Sequence, residues 1–212
     1  MAKVIIVGTS HISRISINEA IDVILTETPD CVALELDPER FAALMQKKRE
    51  KATLQNPTYF VLNTLQTYLG SKTGVLPGSE MVAAIRAARS VGAKIALIDM
   101  DIAEIMGRLG EISRWQKIKL FFKLLLGLVP VPGRKDFDLN KVPEDRMIDE
   151  ALRYMRKEMP LIYKILITDR NTYMVSWIRQ LSKKHRKIVV VVGAGHKKGL
   201  EKLLKKKAGR KR

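Results

Sequence analysis

Cysteine is nearly absent from this sequence, with a single copy, Cys31, in 212 residues. One cysteine excludes an intramolecular disulfide. It lies in the apolar stretch CVALEL, which favours a buried structural thiol over a reactive one. Such sparse use of cysteine is typical of a protein from a reducing compartment.

Long apolar runs are also missing. The nearest, LFFKLLLGLVPV from Leu120 to Val131, is interrupted by Lys123 and ends among prolines, whereas a helix needs about 20 predominantly apolar residues to cross a bilayer. The N-terminus has only the short run VIIV before Gly8, which is less than the roughly 7–15 residues of a signal-peptide core. The sequence therefore predicts neither a signal peptide nor a transmembrane helix, and a cytoplasmic or peripheral membrane location.

Acidic residues are few, because 22 Asp and Glu face 39 Lys and Arg, which gives a net charge of +17. The segment Lys197–Arg212 alone holds nine basic residues and one Glu. Such a balance favours an anionic partner: nucleic acid, an anionic membrane surface or an acidic protein. Nucleic acid is disfavoured, because the basic residues form no recognised RNA- or DNA-binding motif with interleaved aromatic residues.

Short β-branched runs alternate with segments of helical periodicity, which predicts an α/β fold: a mostly parallel sheet flanked by helices on both faces. The helix signals include a capping box at Ser16 and Glu19, an Asp37 cap before Pro38, and Gly92 after a helix end. The predicted strands are Lys3–Val7, Cys31–Leu36, Lys94–Ile98 and Lys187–Val192, and the predicted helices between and after them are Ser16–Thr26, a helix from Pro38, Ser79–Val91, Asn171–Lys184 and Lys197–Lys206.

Residues 102–166 break this alternation, because they contain no clear strand. We predict here a helical insertion (Ile102–Leu109, Ser113–Leu128 and Pro143–Lys157) in one domain of residues 1–204, followed by a basic tail at 205–212. Within the insertion, WQKIKLFFKLLLGLV from Trp115 to Val129 places lysines among apolar residues. Such a helix packs as core, covers the site as a lid, or lies in a membrane interface.

Polar residues follow each predicted strand, at the edge where open parallel sheets bind their ligands. The first and last strands are each followed by a glycine, two small residues and a histidine, GTSH and GAGH, which contain two of the three histidines. The third, His185, is predicted to lie on the surface. The residues at this edge are Gly8 to His11, then Glu35 and Asp37, then Asp99 and Asp101, and finally Gly193 to His196.

Two kinds of chemistry fit this pattern beside a structural alternative. Histidine and carboxylate side chains ligate divalent metals that polarise water or a carbonyl, and the same groups act as general acid and base without a metal. A turn between strand and helix also favours Gly, Thr and Ser for its geometry alone, but the repeated GxxH unit favours function. No nucleotide is predicted, because GAGHKKG lacks GxGxxG spacing and LGSKTG is not a phosphate-binding loop.

The motifs taken together resemble the TraB/PrgY family, which is related to the Tiki proteins and more distantly to erythromycin esterases and ChaN. The resemblance rests on VGTSHIS, VALELDPERF, PGSEMVAAIRAARSVGAKIALIDMDI, ITDRNTYM and VVVVGAGHKKGL, which in this order span nearly the whole chain. It implies a single α/β domain in which the two GxxH units converge. It also implies a metal-dependent peptidase, because Tiki members cleave a secreted signalling protein and PrgY is tied to silencing of a peptide pheromone.

The resemblance implies a site formed by His11, His196 and Glu35 that holds a divalent metal (Zn, Mn or Co) or poises a water. Arg170 and Asn171 join Glu35 as implied catalytic residues, Arg170 to grip a carboxylate or a developing oxyanion and Asn171 to orient it. The structural alternative for these two residues is a helix-start cap with a surface arginine. The residues expected to contact the substrate at the same edge are Gly8, Gly193, Asp99 and Asp101.

These observations favour a metal-dependent hydrolase, specifically a peptidase that acts on a signalling peptide or protein segment near a membrane. The alternative is a non-catalytic module that sequesters a peptide or associates with a membrane, which the net charge of +17 and the amphipathic segment favour. The identity of the substrate stays open, as does assembly into a homo-oligomer.

Overall fold

The computed structural model of the protein describes residues 2–9, 14–45, 78–113 and 145–206. Its centre is a sheet whose described strands are all parallel and run in the order β1-β4-β2-β3. The predicted parallel sheet flanked by helices is therefore confirmed. The strands are β1 Lys3–Thr9, β2 Cys31–Leu34, β3 Lys94–Leu97 and β4 Lys187–Gly193.

Helices connect the strands and cover both faces of the sheet. Among the described residues, a π-helix directly precedes one of the α-helices. The helices are α1 Arg14–Glu27, α2 Pro38–Met45, α3 Ser79–Ser90, α4 Ile102–Gly110, α5 Asp145–Glu158, the short α6 Pro160–Tyr163, the π-helix Lys164–Asp169, α7 Arg170–Leu181 and α8 Ala194–Lys205.

Alternate residues of the central strands enter two separate cores. Val189 and Val191 of β4 pack with α1 and α3 on one face, whereas Val190 and Val192 pack with α7 and α8 on the other.

The order of the connections explains which helices lie on each face. From β1 through β2 to the edge strand β3, the connecting helices α1 and α3 lie on the face that holds Val189 and Val191. The chain then returns to β4 by way of α7 on the opposite face, as right-handed crossovers require when their direction reverses. The direction of connection thus reverses beside β4 and β2, and open sheets bind ligands at the carboxyl ends of strands next to such a reversal.

The helix starts confirm some sequence signals and correct others. Asp37 Oδ1 accepts the N–H of Arg40 (2.9 Å) at the start of α2, as the predicted cap requires, and Gly92 has the positive φ of 70° expected after a helix end. The predicted cap at Ser16 is wrong, because α1 begins at Arg14 and a serine in the first turn does not stop a helix. Likewise α8 begins at Ala194, so His196 lies within its first turn.

Several sequence predictions fall on residues that the structure does not describe. They are the predicted helix Ser113–Leu128 beyond Ser113, the amphipathic segment Trp115–Val129, His11, and the part of the basic tail from residue 207 onward. The last helix predicted in the insertion is present as α5. Within residues 2–9, 14–45, 78–113 and 145–206, the length and hydropathy of the helices give no candidate membrane span.

Cys31 is a core residue, as its apolar surroundings predict. It is 1% exposed, and desolvation raises the pKa of its thiol to about 11. Because thiol reagents attack the thiolate, we expect iodoacetamide at pH 8 to label the folded chain at least about 100-fold more slowly than the urea-unfolded chain. Mass spectrometry follows the labelling without interference from another thiol, and similar rates in the two states would contradict the burial of Cys31.

Candidate active site

Glu35 lies at the carboxyl end of β2 and joins it to β4. Its backbone N–H donates to Val191 O (3.1 Å), and its Oε2 accepts the N–H of Gly193 (2.6 Å). Only 7% of Glu35 is exposed. A carboxylate at this depth needs charged or hydrogen-bonding partners, because removing its hydration is costly.

Arg170, the first residue of α7, supplies a positive charge opposite Glu35. Its Nη2 donates to Glu35 Oε1 and to Asp99 Oδ2 (2.6 Å), and its Nε donates to Asp99 Oδ1 (3.0 Å). Burial alone lowers the pKa of this guanidinium, but the charges and hydrogen bonds of Glu35 and Asp99 outweigh burial and raise the pKa. Arg170 is therefore a permanent cation whose planar fork links the carboxyl ends of β2 and β3.

The π-helix Lys164–Asp169 leads directly into Arg170, and no sequence pattern predicted it. Arg170 Nη1 donates to Leu166 O (3.3 Å), so the guanidinium folds back along the preceding turn. Short π-helical turns inside longer helices are frequent at functional sites. Here the π-helix is the segment that brings Arg170 and Asn171 to the sheet edge.

His196 lies in the first turn of α8, beside Glu35. Its Nδ1–H donates to Asn171 Oδ1 (2.7 Å), and its Nε2 lies 3.4 Å from Glu35 Oε1. Because an amide oxygen only accepts hydrogen bonds, Asn171 selects the form of the ring that carries a proton on Nδ1. His196 and Asn171 are 4% and 5% exposed, so the orientation of the imidazole is determined by protein groups.

Gly199 provides the space that the Asn171 amide occupies. A Cβ on Gly199 would lie 2.3 Å from Asn171 Nδ2 and 3.2 Å from its Cγ. We expect Gly199→Ala to displace Asn171 and to lower the free energy of unfolding by about 1–3 kcal/mol, the usual cost of overpacking a tight site. Urea unfolding followed by circular dichroism measures this change.

Gly107→Ala in α4 is the matched control for this substitution. A Cβ on Gly107 would meet no atom within 4 Å. Replacing a glycine within a helix by alanine then stabilises the fold by about 0.5–1 kcal/mol. The two variants should therefore change stability in opposite directions, and a stabilising Gly199→Ala would contradict the proposed clash.

Comparison with known proteins identifies the family of the chain. The family model of TraB/PrgY/gumN matches residues 2–210. The chain belongs to the TraB/PrgY/gumN family. This confirms the resemblance that the motifs indicate, and the site described above lies within the matched region.

Related proteins of the TraB/PrgY/gumN family share most of this chain. An uncharacterized protein of Methanocaldococcus jannaschii is 32% identical over 215 residues, which cover 95% of this chain and 53% of that protein. The TraB domain-containing proteins of Bos taurus and Homo sapiens are 26% and 24% identical over 237 residues, which cover 95% of this chain and 62% of each of them. The chain therefore spans about half the length of the first relative and less than two thirds of the other two.

In this TraB/PrgY/gumN protein, His196 and Glu35 are arranged in a way that fits a shared divalent metal. The 3.4 Å between Nε2 and Oε1 suits two ligands whose bonds to one ion are about 2.0–2.2 Å long. Asn171 holds the other ring nitrogen, as hydrogen-bond partners of metal-bound histidines do. Residues 2–9, 14–45, 78–113 and 145–206 contain no group of three or more His, Cys, Asp or Glu placed to hold a metal. The third predicted ligand, His11, lies outside these ranges.

Two of the residues expected to contact substrate have structural partners in the fold. Asp101 is exposed and caps α4, where its Oδ1 accepts the N–H of Ala103 (2.7 Å). A Cβ on Gly8 would lie 3.1 Å from Lys197 Cδ and 3.2 Å from Ala194 Cα, so the close approach of α8 to β1 accounts for this glycine. The structure thus brings Asp99 and Gly193 into contact with the Glu35–Arg170 pair, but not Asp101 or Gly8.

Arg40 belongs to the same cluster although no sequence argument singled it out. Its Nη2 pairs with Asp99 and its Nε pairs with Asp37. Burial lowers the pKa of Arg40, but the charge of Asp99 and the hydrogen bonds to Asp99 and Asp37 outweigh burial and raise it. The sequence feature that could have indicated Arg40 is its position three residues after Asp37 at a predicted helix start.

Proposed function

We propose that this chain is a metal-dependent hydrolase that cleaves peptide bonds, with His196, Glu35 and His11 as the metal ligands. The observation that carries the proposal is the buried pair of His196 Nε2 and Glu35 Oε1, 3.4 Å apart, with Asn171 on the other ring nitrogen. Strand β2 leads into Glu35, and α7 and α8 hold Asn171 and His196, so these groups meet at the carboxyl edge of a parallel sheet, the usual ligand-binding edge.

Each described residue of the site has a role that follows from its contacts. A divalent metal held there would polarise a substrate carbonyl and activate a water for attack. Asn171 keeps a proton on Nδ1 of His196, which leaves Nε2, beside Glu35, as the ring nitrogen available to a metal. Arg170 compensates the charge of Glu35, and the N–H of Gly193 holds its second oxygen. The carboxylate is therefore fixed before a substrate arrives, which lowers the cost of organising the site.

The substrate class rests on the resemblance to Tiki proteins and PrgY together with the charge of the chain. We propose a signalling peptide or a protein segment near a membrane as the substrate. The net charge of +17 and the lysines of Trp115–Val129 support approach to an anionic surface.

Elemental analysis after incubation with Zn, Mn and Co, followed by cleavage assays on a peptide library, tests the proposal. We expect a stoichiometric metal and metal-dependent cleavage, both lost in His11→Ala and in His196→Ala. His185→Ala is the matched control, because His185 precedes β4 at the opposite end of the strand from the site.

Two results would contradict the hydrolase proposal. One is cleavage that persists in both His11→Ala and His196→Ala. The other is tight peptide or vesicle binding without turnover that survives both substitutions, which would indicate the non-catalytic binding module instead.

A further inference from the structure

Arg40 ties the first turn of α2 to the carboxyl end of β3. Its backbone N–H donates to Asp37 Oδ1 (2.9 Å), its Nε donates to Asp37 Oδ2, and its Nη2 donates to Asp99 Oδ2. A quarter of the Arg40 side chain is exposed. The guanidinium thus reaches the buried cluster from the surface of the protein.

Asp99 is shared between Arg40 and Arg170. Its Oδ2 accepts from Nη2 of both arginines, and its Oδ1 accepts from Arg170 Nε (3.0 Å) and from the N–H of Met100 (2.8 Å). The carboxylate has no exposed surface. Its orientation, and with it the position of Arg170, therefore depends on these donors.

The charges of the cluster show why the second arginine matters. Three carboxylates, Glu35, Asp37 and Asp99, face two guanidinium groups, Arg40 and Arg170. Without Arg40, three carboxylates would face one guanidinium. Asp99 and Glu35 would then compete more strongly for the same atom, Nη2 of Arg170, which already contacts both.

We propose that Arg40 is a positioning residue for Glu35. By neutralising Asp99, it leaves Arg170 able to hold Glu35 against the N–H of Gly193 and beside His196. The inference deepens the proposed function, because Glu35 is a ligand in that proposal. The position of the Glu35 carboxylate is nevertheless measurable without metal or substrate.

The amide proton of Gly193 reports the position of Glu35 in NMR spectra. Its 2.6 Å hydrogen bond to Oε2 has a charged acceptor, and such bonds are short and strong, which moves an amide proton downfield. Glu35→Gln should move this resonance upfield. We expect Arg40→Met to move it in the same direction by at least half as much. Arg86→Met, which removes an exposed arginine of α3, should leave the resonance in place.

A double-mutant cycle shows whether Arg40 acts through Asp99. In an Asp99→Asn background, Arg40→Met should have little further effect on the Gly193 resonance. An equal shift in both backgrounds would overturn the proposal, as would an unmoved resonance in folded Arg40→Met. If Arg40→Met does not fold, Arg40→Gln carries the same comparison with the same expected shift, and an unmoved resonance there overturns the proposal equally.

A binding measurement separates this inference from the proposed function. Isothermal titration with Zn²⁺ should show about 10–100-fold weaker binding to Arg40→Met than to wild type, the usual effect of changing an outer partner of a metal site. If wild type binds no Zn, Mn or Co, the metal proposal fails, while the Gly193 shift still supports the positioning role. If wild type binds Zn²⁺ and the Gly193 resonance of Arg40→Met is unmoved, the positioning role fails alone.

Discussion

Replacing Arg170 by methionine should lower the free energy of unfolding by about 3–5 kcal/mol, the usual cost of removing one partner from a buried ion pair. Glu35 and Asp99 would lose the guanidinium that contacts both of them. Their side chains are 7% and 0% exposed, so water would not replace the lost hydrogen bonds without disturbing the sheet edge. Urea unfolding at pH 7 measures the change.

Lys3→Met is the matched control for the loss of a paired cation. Lys3 Nζ contacts Glu27 at 2.8 Å, but 60% of the lysine side chain is exposed. Exposed pairs contribute about 0–1 kcal/mol, so this variant should unfold almost as wild type does. If Arg170→Met lowered the free energy of unfolding by less than about 1 kcal/mol, the cluster of Arg170, Glu35 and Asp99 would not be buried as described.

Local patterns in the sequence indicate only part of the candidate site. Glu35 and His196 each follow a strand of the sheet, whereas Arg170 and Asn171 are indicated by the resemblance to the TraB/PrgY family. Because parallel strands end at a common edge, the positions of Glu35 and His196 converge once the sheet is known to be parallel. The parallel sheet itself follows from the alternation of β-branched runs and helical periodicity.

Asp99 and Asp101 show that position after a strand is not sufficient to predict the contacts of a residue. Both follow β3, yet Asp99 is 4% exposed and bound to two arginines, whereas Asp101 is exposed and caps α4. A helix that begins at Ile102 places the residue before it in the capping position. The start of α4 therefore engages Asp101 as its cap, which strand position alone does not reveal.

Long-range packing determines the remaining features. Arg40 and Asp99 are 59 residues apart, and they meet only because β2 lies between β4 and β3. Gly8 makes room for α8, and Gly199 makes room for the Asn171 amide. Sequence spacing does not distinguish these cases, because they depend on which atoms approach from elsewhere in the fold.

Substitutions of Asn171 test whether its hydrogen bond to His196 keeps Nε2 of that ring available to a metal. Asn171→Leu keeps a similar volume but removes the acceptor of the His196 Nδ1–H. The ring would then carry its proton on Nε2 and donate it to Glu35, which removes the lone pair that a metal requires. We expect Zn²⁺ affinity to fall about 10–100-fold, as measured by isothermal titration.

Asn171→Asp is the informative comparison for Asn171→Leu, because it keeps an oxygen acceptor at the same position. It should bind Zn²⁺ more tightly than Asn171→Leu, although the two substitutions both remove the amide nitrogen that lies against Gly199. If both variants lost affinity equally, the packing of the amide against Gly199 would matter more than the hydrogen bond to His196. If Asn171→Leu bound Zn²⁺ as wild type does, Nε2 of His196 would not be a metal ligand, because a ligand whose tautomer is no longer fixed must bind more weakly.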